Sequence, residues 1–521
     1  MKRLKLKIII PLLFVFLANV NCFGQVTPRQ VDSLVAYAMT KFNVAGLAIG
    51  IVKDGKIILA KGYGVKSVST KSPVDAHTDF AIASNSKAFT TAALSILVEE
   101  GTINWDDKVK KYIPEFTMYD PYVAENFNIQ DLLTHRSGLG LGMGDLMIFP
   151  DGSDFTMNDI LGSFRHFEPV SAFRTKYDYD NLLYLVAGEV IKRVSGMAWE
   201  DFVTKRIFEP LKMDHTYASL AKMIDKSNLS APHSSETGAL VVLPNYADMV
   251  NGAAGGIYSN ADDLCQWMMV QLNHGKYGSS LEKKLFSPES QHEMWKIHTV
   301  IETNPFSRFN SHFHGYGLGW DLSDLKGNLK VEHTGGFPGM LSKTVLIPDI
   351  NLGVVILTNT SNDGAGVFGS LSNSIVEAYL GMDDFGWIDK YAARFASMKA
   401  KGDSVADQVW AAVAKADKSA VNESNYQGMY ADKWFGKMEV YKKDDKLCIR
   451  SLRSPKLTGT MYFYKANTFA IKWDYRDMEC DAFAMFSLDE EGKAQELKMK
   501  GISPNIDFSF DFQDLDLHRV K

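Results

Sequence analysis

Three short groups of residues in this chain have the types and the order that covalent acyl transfer requires. The first group, Ser84-Asn85-Ser86-Lys87, follows the apolar run 80–82 and opens a predicted helix. Residues i and i+3 of a helix share one face, so Lys87 lies one turn from Ser84. A partly desolvated lysine can take the proton of a serine hydroxyl. The pattern predicts Ser84 as a nucleophile and Lys87 as its base.

The S-x-x-K spacing is weak evidence when it stands alone. Four copies occur in the chain, and they begin at Ser84, Ser219, Ser280 and Ser323. Ser84 is selected because it opens a long helix, whose N-terminus favours developing negative charge. The alternative is that Ser84 merely caps this helix and that Lys87 is a solvated side chain.

The second group, Tyr179-Asp180-Asn181, precedes the predicted helix 182–195. A tyrosine near a lysine can be held as a phenolate and move protons. An asparagine offers an amide donor and a carbonyl acceptor to a substrate. The Y-x-N spacing recurs at 258–260, so Tyr179 is alternatively an aromatic residue of the core or the rim.

The third group, His333-Thr334-Gly335-Gly336, comes just before a predicted strand. A pair of glycines lets a substrate approach the backbone closely. An N–H group from this edge, together with the Ser84 amide, would form an oxyanion hole. His333 or Thr334 would contact a substrate carboxylate or acyl carbonyl. The alternative is a plain turn that enters the strand.

Apolar periodicity and turn residues predict the elements that position these groups. A helix begins at the capping sequence 27–30, and Asp54-Gly55 joins two strands in a hairpin. Strands at both ends of this region, with helices between them, predict an α/β (α+β) body with an antiparallel sheet flanked by helices. The predicted strands are 46–52, 56–62, 341–347 and 352–358, and the predicted helices lie near 85–100, 182–195, 260–273 and 368–380.

The remaining chain changes character after residue 383. Residues 384–424 are rich in Ala and Lys and are predicted to form a helical linker with a break at Gly402. From residue 425 onward, short strands and turns predict a small all-β barrel or sandwich. The clearest of these strands are 437–441, 446–450, 468–473 and 482–488.

Composition and charge exclude several classes of protein. The 521 residues are 46% hydrophobic and 23% charged, as in soluble globular proteins, which excludes disorder and a multi-span membrane protein. The net charge of -6 gives no basic surplus, so no nucleic acid partner is expected. Four cysteines do not make a disulfide scaffold. Cys448 and Cys480 either pair or, as buried thiols, stay free.

Residues 1–24 are predicted to be a secretory signal peptide, because a basic start precedes the apolar stretch 8–20. The protein is therefore expected to be exported, and either periplasmic or secreted. The alternatives are a lipid anchor at Cys22 and a retained membrane anchor. A membrane partner is expected only if Cys22 is lipidated.

Two further segments contain residue types that occur in metal sites or phosphate-binding loops. His312-Phe313-His314 has no accompanying group of metal-ligating residues in the sequence, so neither a metal nor a cofactor is predicted. The glycine-rich stretch 138–144 lacks the lysine of a phosphate-binding loop. It is predicted to begin a mobile lid over the site or, alternatively, to be a packed surface loop. The apolar inner face of such a lid would consist of Met143, Leu146, Met147, Ile148 and Phe149.

The order of the three groups resembles that of the serine β-lactamase and penicillin-binding-protein superfamily. The chain is most similar to the branch with Tyr in the second motif, which includes class C β-lactamases, D-amino-acid peptidases and β-lactamase-like esterases. The resemblance covers about residues 28–382 and implies a hydrolase domain at 25–383. Residues 425–521 resemble the lipocalin-like barrel that often follows such domains. Supporting segments are 131–139, 255–259, 315–320 and 347–349.

The resemblance implies a role for each residue of the three motifs. Ser84 would be acylated, Lys87 and Tyr179 would move protons, and Asn181 would orient the substrate. His333 stands where many relatives carry a lysine, which favours esterase or D-peptidase chemistry over efficient β-lactam hydrolysis.

The expected function is that of an exported serine hydrolase acting through an acyl-enzyme. Its partner would be a small acyl substrate, either a simple ester or an envelope peptide or ester that contains D-amino acids. The alternatives are a β-lactamase or an acyltransferase using the same acyl-enzyme, and a slowly acylated penicillin-binding sensor. The C-terminal barrel would be a stabilising appendage or a wall that restricts access to Ser84.

Overall fold

A computed structural model describes residues 26–247, 250–303, 308–417, 419, 421–476 and 480–521. The predicted signal peptide, with Cys22, lies outside the described residues. The main body is built on an eight-stranded antiparallel sheet in the order β2-β1-β8-β7-β6-β5-β4-β3. These strands are β1 Gly46–Lys53, β2 Lys56–Gly64, β3 Thr299–Val300, β4 His314–Tyr316, β5 Asp321–Leu325, β6 Asn328–Phe337, β7 Met340–Ile347 and β8 Leu352–Thr358.

The sheet joins the two ends of the main body, because β1 pairs with β8 from Leu47–Thr358 to Lys53–Leu352. Helices flank the sheet, and this arrangement confirms the predicted fold class. The helices are α1 Pro28–Lys41, α2 Ser86–Glu99, α3 Pro121–Asn126, α4 Met157–Ser163, α5 Leu182–Ser195, α6 Trp199–Val203, α7 Glu209–Leu211, α8 Gly252–Gly255, α9 Ala261–Leu272, α10 Pro288–Met294, α11 Asp363–Tyr379 and α12 Trp387–Lys415.

Local sequence signals set several of these boundaries. Thr27 and Gln30 form the predicted capping box at the start of α1, with Pro28 in the first turn. Asp54 and Gly55 both have positive φ, as a tight hairpin between β1 and β2 requires. Helix α2 is apolar or small on nearly every side, and its residues from position 86 to 97 are all buried. This helix is therefore the central support of the candidate site.

The C-terminal part is a closed eight-stranded barrel, as predicted. Its interior is filled by side chains, among them Tyr430, Phe469 and Trp473, which are at most 1% exposed. Its strands are β9 Gly428–Asp432, β10 Gly436–Lys443, β11 Lys446–Ser451, β12 Thr458–Lys465, β13 Thr468–Trp473, β14 Ala482–Leu488, β15 Ala494–Gly501 and β16 Leu517–Val520.

The predicted break at Gly402 is wrong, because α12 runs through it without interruption. Gly402 is buried, and a Cβ there would lie 2.2 Å from Nδ2 of Asn505 in the loop 502–516 that joins β15 to β16. Asn505 donates a hydrogen bond to the Met398 carbonyl, one turn earlier on α12. The glycine therefore permits close packing of a helix against a loop of the barrel.

The barrel packs directly on the main body. The Phe435 ring packs at a tilt against Phe155, with centroids 5.6 Å apart, and Trp434 meets Phe167 edge to face, with centroids 5.4 Å apart. Arg453 pairs with Asp159 and Asp154 of the main body at 2.9 and 2.6 Å.

Two further features concern the cysteines and membrane contact. The described cysteines, Cys265, Cys448 and Cys480, are all buried thiols, and the alternative disulfide between Cys448 and Cys480 is not formed. Within the described residues, every helix is too short or too polar to span a bilayer.

Candidate active site

Ser84 lies in a single turn, Ala83–Asn85, immediately before α2 rather than on the helix itself. Ala83 adopts a φ of 45°, a left-handed conformation that costs a non-glycine residue about 1–2 kcal/mol. Ser84 is partly exposed, whereas its neighbours Ala83 and Asn85 are buried. The turn thus presents the Ser84 side chain to the cavity.

The adjoining strands hold this turn in place. Asn85 Nδ2 donates to Ser342 Oγ on β7, and Ser342 Oγ donates to the Ile82 carbonyl at 2.7 Å. On β6, a Cβ at Gly335 would lie 2.1 Å from the Ile82 oxygen and 2.9 Å from Ser84 N. Position 335 therefore requires glycine, and the third motif lies directly beside the Ser84 backbone.

Lys87 is fully buried at the base of the site. Its Nζ lies 3.1 Å from Ser84 Oγ, 2.7 Å from Asn181 Oδ1 and 3.0 Å from the Ala254 carbonyl oxygen. Burial lowers the pKa of Lys87 to about 7. A neutral amine has two N–H groups and one lone pair. With the N–H groups on Asn181 and Ala254, the lone pair points to the Ser84 hydroxyl.

Tyr179 covers Lys87, whose Nζ lies 4.7 Å from the centre of the tyrosine ring. Burial raises the pKa of Tyr179 well above its ordinary value, although a hydrogen bond with the Ser84 hydroxyl acts in the opposite direction. Removal from water disfavours the charged form, so burial favours the neutral hydroxyl over the phenolate considered from the sequence. Tyr179 is instead a neutral hydroxyl beside Ser84.

Asn181 is held at both ends of its amide. Its Oδ1 accepts from Lys87, and its Nδ2 donates to Asp145 Oδ2 at 2.8 Å. The side chain borders the cavity but is only 6% exposed. Asn181 therefore positions Lys87, in addition to the substrate contact predicted for it.

His333 precedes the predicted strand, which is β7, and it lies inside the long strand β6 rather than in a turn. Its Nδ1 lies 2.6 Å from the Thr334 carbonyl and must donate, so Nε2 accepts from the Tyr316 hydroxyl at 2.8 Å. Burial and the nearby Lys87 lower the pKa of His333 to about 4. His333 is thus a neutral, internally bonded side chain at physiological pH.

Strand β6 leaves one edge open beside Ser84. Its pairing with β5 ends at Glu332, while its pairing with β7 continues to Phe337. Backbone groups of Thr334, Gly335 and Gly336 on the unpaired side therefore border the cavity. This geometry is compatible with the predicted oxyanion hole.

The candidate site opens into a cavity of about 720 Å³. Among its described lining residues the charged side chains are Asp321, Glu332 and Asp507, with no lysine or arginine. Its aromatic lining consists of Phe149, Tyr177, Tyr179, Tyr316, Phe337, Phe368, Phe508 and Phe510.

The segment predicted as a lid is packed into the protein. Met143, Leu146, Met147 and Ile148 are at most 3% exposed and belong to the main core, so they do not form an inner face over the site. Phe149 does line the cavity, as predicted. Of the two alternatives, the packed loop describes the structure.

Motif spacing did not identify several residues that support the site. Tyr316 lies in the segment 315–320 that supports the resemblance, and Ala254 directly precedes the segment 255–259, so a sequence signal lies at or beside each of them. Asp145 and Ser509 had none, because their contact joins residues 364 positions apart. Within the described ranges, His, Cys, Asp and Glu form no group of three able to hold a metal ion.

Known proteins resemble this chain in sequence. A family model described as Beta-lactamase matches residues 31–369, and a model described as a domain of unknown function matches residues 414–519. The chain is 29% identical over 353 residues to an unguisins hydrolase of Aspergillus campestris. It is 27% identical over 340 residues to Protein flp of Staphylococcus aureus.

The sequence matches span only part of each relative. The hydrolase match covers 65% of this chain and 62% of that protein, and the flp match covers 64% of each, so the chain spans less than two thirds of these relatives. A penicillin-binding protein homologue from Pyrococcus abyssi, described as octameric, matches in structure with a TM-score of 0.59. That match has 21% identity and covers 94% of this chain and 99% of the other. At this identity, the likeness concerns the fold.

Proposed function

The chain belongs to the beta-lactamase family, and from that premise we propose that it is a serine hydrolase forming an acyl-enzyme on Ser84. The observation that carries the proposal is the buried Lys87 amine, 3.1 Å from Ser84 Oγ with its other contacts satisfied. The relative named as a hydrolase supports the reaction class.

A proton is transferred in each step of the proposed reaction. Lys87 takes the Ser84 hydroxyl proton as Oγ attacks the substrate carbonyl carbon, and N–H groups at Ser84 and the β6 edge stabilise the oxyanion. Proton donation from Lys87, with the neutral Tyr179 as a relay, lets the alcohol or amine leave. Water then attacks the acyl carbon while Lys87 takes one of its protons, and that proton passes to Ser84 Oγ as the bond between Oγ and the acyl carbon breaks and the acid leaves.

For the substrate, we propose small neutral esters, or envelope peptides and esters that contain D-amino acids. A substrate carboxylate would find no lysine or arginine among the described lining residues, and His333 is neutral. Aromatic side chains instead offer an apolar surface to the acyl group. Export of the protein, through residues 1–24, remains part of the proposal because it suits envelope substrates.

Steady-state kinetics with two matched substrates tests this proposal. An activated neutral ester should be hydrolysed, while its analogue with a carboxylate on the acyl group should have a kcat/KM lower by about tenfold or more. Ser84→Ala should abolish hydrolysis of the ester. Ser219→Ala, in a second S-x-x-K copy, is the matched control and should be unaffected. Full turnover by Ser84→Ala would refute the proposal, and labelling without release would favour the slowly acylated sensor.

A further inference from the structure

The loop 502–516 of the C-terminal barrel reaches the candidate site. Five of its residues line the cavity, and the fully buried Asp511 lies just beyond them. The two Asp511 oxygens accept hydrogen bonds from the backbone N–H groups of Gly144 at 2.7 Å and Leu146 at 2.9 Å. The barrel thereby fixes the short segment that carries Asp145. The five lining residues are Asn505, Asp507, Phe508, Ser509 and Phe510.

A continuous series of hydrogen bonds leads from this loop to the lysine. Ser509 Oγ donates to Asp145 Oδ2 at 2.9 Å, Asn181 Nδ2 donates to the same oxygen at 2.8 Å, and Lys87 Nζ bonds Asn181 Oδ1 at 2.7 Å. Asp145 is fully buried, and its Oδ1 has no hydrogen-bond partner among the described residues. Within that part of the chain, Ser509 and Asn181 are the donors that hold this carboxyl.

The orientation of the Asn181 amide decides whether Lys87 can act as a base. With Nδ2 turned toward Asp145, Oδ1 faces Lys87 and accepts one of its N–H groups. A reversed amide would direct an N–H group at Lys87 and occupy the lone pair that otherwise faces Ser84. The Asp145 carboxyl, an acceptor at Oδ2, selects the first orientation.

We propose that Ser509 is a positioning residue for the active site, which the C-terminal barrel of the same chain completes through Asp145 and Asn181. The inference rests on the proposed roles of Ser84 and Lys87. Without the Ser509 hydroxyl, the Asp145 carboxyl keeps only one described donor. Asn181 then also adopts the reversed orientation, and a smaller fraction of Lys87 presents its lone pair to Ser84.

The test is single-turnover acylation of the full chain by an activated neutral ester. Ser509→Ala should lower the saturating acylation rate on the order of tenfold, the effect of one ordinary hydrogen bond. The half-saturating ester concentration should stay as in the wild type, and the unfolding midpoint should fall by no more than the loss of one buried hydrogen bond explains. Ser509→Thr, which keeps a hydroxyl, should restore most of the rate. Ser487→Ala, at an exposed serine of the barrel, is the control and should act as wild type.

The outcomes separate this inference from the proposed function. Acylation of Ser509→Ala at the wild-type rate, with Ser84→Ala inert, would overturn the inference alone. Acylation of Ser84→Ala would overturn the proposed function itself. A changed half-saturation with an unchanged rate would make Ser509 a substrate contact. A lowered unfolding midpoint that Ser509→Thr does not restore would show that Ser509 has a structural role. Either a substrate contact or a structural role would contradict the proposal that Ser509 positions the active site.

Discussion

At the scale of residues, the site depends on a lysine that the fold keeps away from water. Lys87 is held by two fixed acceptors, and both Asp145 and Asp180 are buried nearby. Burial raises the pKa of Asp145 well above its usual range and that of Asp180 to about 7. Their negative charge, where present, raises the pKa of Lys87, but burial has the larger effect and lowers it to about 7. Burial of the lysine therefore leaves the amine available as a base.

The pH dependence of acylation should follow Lys87. Since its pKa is about 7 and only the neutral amine can accept a proton, acylation should rise with pH through about 7. It should fall about tenfold per unit below that pH. His333, with a pKa of about 4, stays neutral and should add no step between pH 5 and 9. The measurement is the single-turnover acylation rate across this range.

Substitution of the lysine supplies the control for that profile. Lys87→Met should lower the acylation rate by about 10²–10⁴-fold and remove the step near pH 7. Lys222→Met alters the exposed lysine of the Ser219 copy and should leave rate and profile unchanged. A step near pH 7 that persists in Lys87→Met would assign the titration to another group.

At the scale of elements, helix α12 packs against the barrel loop 502–516, which completes the site. Gly402→Ala would ordinarily stabilise a helix by about 1 kcal/mol, but here the new Cβ would meet Asn505. We expect Gly402→Ala to lower both the unfolding midpoint and the acylation rate, because the loop bearing Ser509 must move. Thermal unfolding and single-turnover acylation measure the two effects.

A second helical glycine provides the comparison. Gly162 on α4 has open space around its would-be Cβ, so Gly162→Ala should raise the unfolding midpoint and leave acylation unchanged. An equal gain in stability from both substitutions would show that the contact between α12 and the loop does not constrain the protein.

Prediction from sequence succeeded where local signals define an element. The predicted boundaries are close to those observed at three places. These are the helix capping box at Thr27, the hairpin turn at Asp54-Gly55 and the apolar periodicity of α5. The sequence reading also selected Ser84, Lys87, Tyr179 and Asn181, which the fold brings together. Apolar alternation alone did not show the strand that holds the third motif, since His333 to Gly336 lack the pattern of a half-buried strand.

Properties that depend on contacts between distant parts of the chain could not be predicted from the sequence. The electrostatic state of Tyr179 and His333 depends on burial, which the spacing of motifs does not report. The helix continues through Gly402 because a loop about 100 positions later packs against it. The contact of Ser509 with Asp145 likewise exists only once the barrel has docked.

At the scale of the whole molecule, the barrel and the main body share an interface of aromatic pairs and ion pairs. Trp434 is 7% exposed and packs against Phe167. We expect a single calorimetric unfolding transition for the full chain. Trp434→Ala should shift that transition downward as a whole, at a cost of about 3–5 kcal/mol. Phe313→Ala, at an exposed phenylalanine of the main body, is the control and should change it little.

The number of unfolding transitions shows whether the barrel and the main body unfold together. Two separate transitions in the wild type, with only one of them moved by Trp434→Ala, would mean that the barrel folds and melts independently. The barrel would then be unable to fix the Asp145 segment in the way that the site geometry requires.

The intact mass of the full chain after exposure to an activated neutral ester tests the central claim most directly. The account predicts one acyl group on the wild-type chain and on Ser219→Ala, no adduct on Ser84→Ala, and loss of the adduct with time. An equal adduct on Ser84→Ala, or none on the wild type with any neutral ester, would contradict the assignment of Ser84 as the nucleophile.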